Sequence, residues 1–436
     1  VISQPIQRPL TQHFRADGRP LSLEEYVTKG GYAALRKALA SMAPHEVMQV
    51  LIDSKLAGRG GAGFPTGRKW SFVPTEPDWP RPMFLVCNAD EMEPGTFKDK
   101  VLIQGNPHQL LEGMAIAAYA VGAAVAYVFI RAGYSVAADH LRRAIAEAQS
   151  AGYLGTNILG SEFSLDLRLH VSAGRYICGE ASAMLNALEG ERPVPRHKPP
   201  HQTGSGLWSK PTVVDNVETL CCVPPIVSNG AEWFRSLALS GDGGTKMYTV
   251  SGRVRRPGAW ELPLGTSIRE LVEEHAGGMH WGFKLRAVLP GGASTAYVLD
   301  KDIDTPMDDA SLAKVGSRLG TGTVIVLDDR TCPVGMLRNL EQFYAQESCG
   351  WCTPCWQGLH WVQLLLGAIE EGRGTTADLD VLRRHTDLIK PGHTFCDLAT
   401  GAMEPLESGL RYFQDDLIRH IEDKQCPYKH DPAHLR

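Results

Sequence analysis

Cys349, Cys352 and Cys355 stand at C-x2-C-x2-C spacing, and a fourth cysteine, Cys396, follows well downstream. Three thiolates in one tight loop with a distant fourth suit a [4Fe–4S] cube, because a short loop can wrap the cluster corner to corner. A structural four-cysteine zinc site is the rival, but zinc more often takes its ligands as two separate C-x2-C pairs. Cys87, Cys178, Cys221, Cys222, Cys332 and Cys426 lack this spacing and are expected not to be cluster ligands. Ten cysteines in 436 residues are too few for a disulfide scaffold, and their clustering points to metal in a reducing compartment.

The run Gly58-Arg59-Gly60-Gly61-Ala62-Gly63 matches G-x-G-x-x-G. In a dinucleotide fold that fingerprint follows a strand, whereas Pro44 to Ala57 reads as helical, so a standard Rossmann turn is not expected. Two readings stay open. One is a flexible backbone loop whose N–H groups face a phosphate or a planar cofactor. The other is a tight glycine turn over core aromatics. Lys69 is the neighbouring candidate for a phosphate, and Phe64, Trp70 and Phe72 are candidate stacking surfaces.

Cys87 to Gly95 follows a strand end, where open α/β sheets bind ligands. Asn88, Asp90, Glu91 and Glu93 could bond a flavin ring, a ribitol or a nicotinamide there, although composition alone favours a solvated acidic loop. Tyr176 to Glu180 is a second strand-to-helix turn, and the helix dipole at such a point tolerates negative charge, including a ligand's. Cys178 has no nearby base and reads as structural.

The elements that must position these residues are legible in the apolar spacing. Helical patterns run from Leu21 to Ala57, Pro107 to Val121, Ser135 to Ala148 and Gly179 to Leu188, with strands over Met83–Cys87, Val125–Arg131 and Leu165–Val171. That alternation predicts an α/β layer around a mainly parallel sheet. From Lys246 the pattern changes to a β-grasp-like module: strands at Met247–Val254, Ala259–Leu264, Leu285–Leu289 and Thr323–Leu327, and a short helix at Ser267–Glu274. Beyond Cys332 it is helical again over Val334–Tyr344, Gln357–Glu370, Ala377–Ile389 and Glu407–Ile421. The expected domains are residues 1–245, 246–331 and 332–436.

Composition narrows the function classes. A net charge of -5 argues against a nucleic-acid partner, and 43% hydrophobic residues argue against disorder. The uncharged stretch Met114 to Ile130 sits at the lower limit for a membrane span, but its β-rich second half reads better as a buried helix running into a buried strand. No export signal is visible at the amino terminus, and a soluble protein is expected.

Six ordered segments together resemble the NADH-binding flavoprotein subunit of respiratory complex I: Gly58–Phe72, Cys87–Asp99, Ala173–Glu180, Asn216–Leu220, Glu347–Cys355 and Thr394–Ala399. The resemblance implies a Rossmann-like FMN and NADH domain, a ubiquitin-like domain and a helical bundle holding one [4Fe–4S] cluster. It implies hydride transfer from NADH to FMN, then single electrons to the cluster and onward to quinone. Gly58, Arg59, Gly60, Gly61, Gly63, Gly67, Lys69, Asn88, Asp90, Glu91, Tyr176, Gly179, Glu180, Asn216 and Thr219 would surround FMN. Phe64, Phe72 and Glu93 would hold the dinucleotide, with Glu93 and Glu180 as the catalytic acids and Cys349, Cys352, Cys355 and Cys396 as the metal ligands. The implied partners are a thioredoxin-like [2Fe–2S] subunit and the large iron–sulfur-rich subunit of the peripheral arm. The implied place is the cytoplasmic side of the inner membrane (the matrix side in a mitochondrion), reached only through those partners. A diaphorase subunit of a soluble hydrogenase or formate dehydrogenase is the alternative, and a catalytically retired scaffold is a further one.

Three departures from the family pattern carry expectations. Ala181 replaces a glutamate that contacts the adenosine ribose, and His201, after Lys198-Pro199-Pro200, replaces a phenylalanine against adenine. Losing an acid at the ribose lessens repulsion of a 2′-phosphate, so some oxidation of NADPH beside NADH is expected. Asp215 replaces an asparagine near the FMN phosphate, where an acid weakens flavin binding unless it points away.

Overall fold

The computed structural model describes residues 6–74, 76 and 79–429. The predicted helical segment before the glycine run is three short helices, α1 (Leu23–Thr28), α2 (Ala33–Ser41) and α3 (Pro44–Asp53), and α4 (Thr66–Trp70) follows that run. Strand β1 (Met83–Ala89) leads to α5 (Lys98–Gly105) and α6 (Pro107–Val121), then come β2 (Ala123–Ile130), α7 (Ser135–Ser150) and β3 (Asp166–Val171). α8 (Ala181–Leu188), β4 (Thr212–Asn216), α9 (Val217–Asn229) and α10 (Ala231–Ser236) complete this part.

The four strands form a parallel sheet in the order β3-β2-β1-β4. Chain order reverses at β1, so the crevice between the carboxyl ends of β1 and β4 is a topological switch point, the usual ligand position in such sheets. Register places Asn88 of β1 opposite Asn216 of β4 at that crevice. α6 is buried nearly all round, and Gly122, at φ 72°, supplies the left-handed turn that ends it before β2. The uncharged stretch is thus a buried helix and a strand, and among the described residues no helix is long and apolar enough to cross a membrane.

The second sheet contains β5 (Thr245–Gly252), β6 (Gly258–Pro263), β7 (Leu285–Leu289), β8 (Val298–Leu299) and β9 (Thr323–Asp328) in the order β6-β5-β9-β7-β8. Within it, only β5 and β9 pair in parallel. Its predicted helix is α11 (Ile268–Glu270), continued by a wider π turn over Leu271–His275, and α12 (Asp309–Lys314) lies before β9. The helical part holds α13 (Pro333–Glu347), α14 (Thr353–Glu370), α15 (Thr376–Leu388), α16 (Leu398–Tyr412) and α17 (Gln414–Glu422).

Two expected helices are corrected. Tyr176–Gly179 is a separate 3-10 turn, because the Glu180 carboxylate caps α8 by accepting from the Ala183 N–H at 2.8 Å. The helix expected over Glu407–Ile421 is two helices that meet at Phe413, whose ring is buried against Tyr297.

Candidate functional site

A cavity of about 510 Å³ opens at the switch point, and all three parts of the chain wall it. The α/β part contributes Gly60, Gly61, Asn88, Asp90, Glu91, Glu93, Lys98, Asp99, Tyr176, Gly179, Glu180 and Asn216. The second sheet's loops add Ser294, Arg318, Gly320 and Thr321, and the helical part adds Cys396, Leu398, Thr400 and Glu404.

The floor is a closed network. Asn88 donates to the Gly179 carbonyl at 2.9 Å, and Asn216 donates to Asp99 at 2.6 Å while its own Oδ1 accepts from Lys98 at 3.0 Å. Lys98 also pairs with Asp99 at 2.7 Å and with Glu218 at 3.0 Å, and Glu218 takes Lys246 of β5 at 2.8 Å. Burial lowers the Lys246 pKa, and the Lys98 and Arg59 charges add to that, leaving it at about 8 despite Glu218. Burial opposes ionisation of Lys98 as well, but Asp99, Glu218 and Glu91 together hold it charged.

The acidic turn divides its labour. Asp90 accepts from Ser172 at 2.8 Å through Oδ1, while its buried Oδ2 has no partner within the protein, and burial pushes the carboxyl up to about 6. Glu91 accepts from the Asp99 and Lys100 N–H groups at the start of α5 and from the Tyr134 hydroxyl. Burial, then the Asp99 charge, push Glu91 up to about 7. Glu93 accepts from the Tyr176 hydroxyl at 2.6 Å and from the Ser294 N–H at 2.7 Å. Glu180 pairs with Lys198 at 3.1 Å beside its helix-capping bond.

Beside the wall residues Gly60 and Gly61, the other candidates stand outside the cavity wall. The glycine run is pinned rather than flexible: the Gly58 N–H donates to the Phe64 carbonyl at 2.9 Å, and the Arg59 N–H donates to Thr219 Oγ1 at 2.8 Å. The buried Arg59 guanidinium reaches the carbonyls of Gly243 and Thr245, bracing the loop against β5. Gly67 is a packing glycine, since a Cβ there would meet the Ile52 backbone nitrogen at 2.5 Å. Gly63, at φ 65°, makes the left-handed turn before Phe64. Asp215 does not line the cavity: Lys69 and Trp70 Nε1 each bond its carboxylate at 2.7 Å, so the added acid and Lys69 are paired with each other. Phe64 and Phe72 are exposed rings 6.1 Å apart with the Arg68 guanidinium over both. Ala181 is half-buried at the first position of α8, and Lys198 and His201 lie on the exposed loop beyond it.

Lys98, Asp99, Arg318, Ser294, Thr321 and Glu404 join the site without having been expected there. The Lys98-Asp99 pair closes the segment that begins at Cys87 and is detectable in sequence as a cation after an acidic turn. The others come from distant elements without local signal.

The four spaced cysteines come together. Cys349, Cys352 and Cys396 pack against the core that contains buried Cys355. Beyond burial itself, Cys349 and Cys352 are close enough to Cys355, and Cys355 and Cys349 to Cys396, to disfavour its thiolate. The Phe395 N–H donates to Cys352 Sγ at 3.4 Å, and Ser348 Oγ lies 3.2 Å from Cys355 Sγ. All are free thiols. Hydrogen bonds to cysteine sulfur are one of the levers that set an iron–sulfur potential, so this donor set fits a cluster. The cavity likewise fits a flavin nucleotide: Gly60, Gly61 and Gly179 on its wall, the α9 N-terminus at Asn216, and the unpartnered Oδ2 of the lining residue Asp90.

Profiles of known families match three stretches: the Nuo51 FMN-binding domain over residues 51–225, the SLBB domain over 247–297, and the NADH-ubiquinone oxidoreductase-F iron-sulfur binding region over 335–420. The F subunit of NADH-quinone oxidoreductase from Salmonella typhimurium is 50% identical over 97% of this chain and 95% of its own length. The chain belongs to that F-subunit family. The Escherichia coli member is equally similar, at 50% identity over the same shares. Among solved structures, an NAD+-reducing [NiFe]-hydrogenase in the air-oxidized state superposes with TM-score 0.80 and 33% identity, covering 95% of this chain and 69% of that one. The mixed α/β, SLBB and helical iron–sulfur architecture expected for the family is the one observed.

Proposed function

We propose that this chain is the NADH-oxidising, electron-input subunit of a complex I-type NADH:quinone oxidoreductase. One observation carries the reading: Cys396 is at once a wall of the cavity and the fourth member of the cysteine group. A flavin held in the cavity and a cluster held by the four cysteines would have Cys396 between them. When bound, FMN supplies hydride acceptance from NADH and one-electron release to the cluster.

The chain's own residues do the rest. Asn88, Asp90, Gly179 and Asn216 orient the flavin, with Lys98 and the α9 N-terminus on its anionic side. Glu93, fixed by Tyr176 and Ser294, and Glu180, fixed by α8, direct the nicotinamide end. Phe64 and Phe72 offer faces for adenine, and Ala181 leaves room for a 2′-phosphate near Lys198 and His201. Cys349, Cys352, Cys355 and Cys396 hold [4Fe–4S]. The working domains are residues 1–245, 246–331 and 332–436. The partners are a thioredoxin-like [2Fe–2S] subunit and the large iron–sulfur subunit of the peripheral arm, on the cytoplasmic or matrix face of the membrane.

The test is extraction and turnover of the purified protein. FMN and a reduced-cluster EPR signal should be present, and NADH should reduce ferricyanide. A protein without extractable FMN overturns the reading, and a flavin-loaded one inert with NADH and NADPH is a scaffold. The likeness to the hydrogenase keeps a diaphorase role as the second reading. Subunits co-purifying from the native host decide between the two.

A further inference from the structure

Cys332, His420 and Cys426 lie far apart in sequence, yet one candidate ligand atom from each falls within 4.8 Å of the others. Cys332 Sγ is 3.3 Å from His420 Nε2 and 3.7 Å from Cys426 Sγ. The three residues are 1%, 0% and 8% exposed. They join three pieces of chain: the N-cap of α13 just after the second sheet, the last turn of α17, and the turn beyond it.

The surroundings are arranged as a metal's outer shell. His420 Nδ1 lies 2.6 Å from the Asp416 carbonyl, which assigns the proton to Nδ1 and leaves the Nε2 lone pair facing the two sulfurs. The Gly335 N–H donates to Cys332 Sγ at 3.3 Å, a bond that strengthens when the sulfur is a thiolate. Asp416 is held by Arg286 and by the Tyr428 hydroxyl, and the Tyr428 ring stacks on His420. Glu370, paired with Arg338 through Oε2, places Oε1 against the same Gly335 that Cys332 caps.

We propose that Cys332, His420 and Cys426 bind one zinc ion, separate from the iron–sulfur site, with an oxygen of Glu370 or water in the fourth position. Two sulfurs and one imidazole at close range suit tetrahedral zinc. Binding releases the two thiol protons, and two thiolates with a neutral histidine cancel the charge of the dication. With water in the fourth position the buried site therefore carries no net charge, and with Glu370 there the added charge is offset by Arg338, whereas either thiolate alone would be strongly penalised by burial. The ion fastens the last helix to the junction between the second sheet and the bundle. This holds whether or not the redox reading does, because none of the three residues lines the cavity.

The experiment measures zinc and iron together in the purified holoprotein, with zinc K-edge absorption on the same sample. The expected result is about one zinc per chain beside a full complement of iron, with about two sulfurs near 2.3 Å and nitrogen or oxygen near 2.0–2.1 Å. His420→Ala and Cys426→Ser should each lower zinc by about tenfold or more while iron and FMN stay at wild-type levels. If either variant fails to fold, the wild-type zinc spectrum decides alone. Zinc surrounded by four sulfurs would place the metal in the Cys349–Cys396 site and overturn the proposal. So would a wild-type protein that takes up no zinc from excess metal, a Cys332–Cys426 disulfide in non-reducing mass mapping, or folded variants that keep their zinc.

Discussion

The charge network at the cavity and the surface proposed for the dinucleotide are built on opposite principles. In the network, Lys98 and Asp99 on the cavity wall and Glu218 and Lys246 behind them have side chains no more than 4% exposed and neutralise one another through interlocked pairs. On the dinucleotide surface, Phe64 and Phe72 are 40% and 50% exposed, and Lys198 and His201 belong to an open loop. A cofactor that stays bound gains from buried charges fixed in advance, where a low dielectric strengthens each contact. A substrate that must leave at every turnover is better served by exposed rings and screened charges, each contributing little.

That contrast orders the expected effects of mutation. Glu218→Gln removes the shared acid and leaves two buried lysines facing each other, a loss on the order of 3–5 kcal/mol. Urea unfolding should show it, with flavin released. Burial alone would raise the Glu218 pKa, but Lys246 and Lys98 outweigh it and bring it to about 2, against 4.5 when unfolded. The acid's contribution is therefore fully present above 4.5 and is lost as pH falls toward 2. The stability gap between wild type and variant should be constant from about pH 5 to about pH 7, narrowing below that range as Glu218 protonates and above about pH 8 as Lys246 loses its proton. A gap that persists unchanged in acid would mean the ion pairs are not its source.

Glu93→Gln keeps the shape but removes the charge that Tyr176 and Ser294 bond, so kcat/KM for NADH with ferricyanide should fall about tenfold while FMN stays bound. Unchanged kinetics would reduce Glu93 to a brace. On the dinucleotide surface, Phe72→Ala should raise KM for NADH by about fivefold or more at similar kcat, from about 1–3 kcal/mol of lost stacking. Its melting temperature should not move, and a drop comparable to that of Glu218→Gln would erase the contrast. Ala181→Glu is expected to have the smallest effect. Restoring an acid should lower the NADPH/NADH ratio of kcat/KM by about fivefold, near 1 kcal/mol of screened repulsion. An unmoved ratio would show that position 181 does not read the 2′ substituent.

Much of the fold is legible in the sequence because its elements are long and strongly patterned. α6 has the bounds expected for it, and β1, β2, β3, β5, β6, β7 and β9 lie within a few residues of theirs. α9 is hidden from pattern reading because Pro224 and Pro225 stand inside it, where they would ordinarily argue against a helix; Asn216 caps its start and the core buries its apolar face. β4 is hidden because five residues beside a proline carry too little periodicity.

The sequence by itself determined chemistry that lives in short spacing. Cys349, Cys352 and Cys355 declare a metal loop before any folding, and the ordered motifs from Gly58 to Ala399 declare the family. The tertiary structure decided which of the singled-out residues face the cavity. It turned Asp215 onto Lys69 and Trp70, spent Arg59 on bracing a loop, and made Cys396 a wall of the cavity. It also gathered Cys332, His420 and Cys426, whose separations in sequence resemble no ligand pattern. The reason is physical: spacing along a chain fixes distances only over a turn or two, while contacts between distant elements depend on how whole helices and sheets pack.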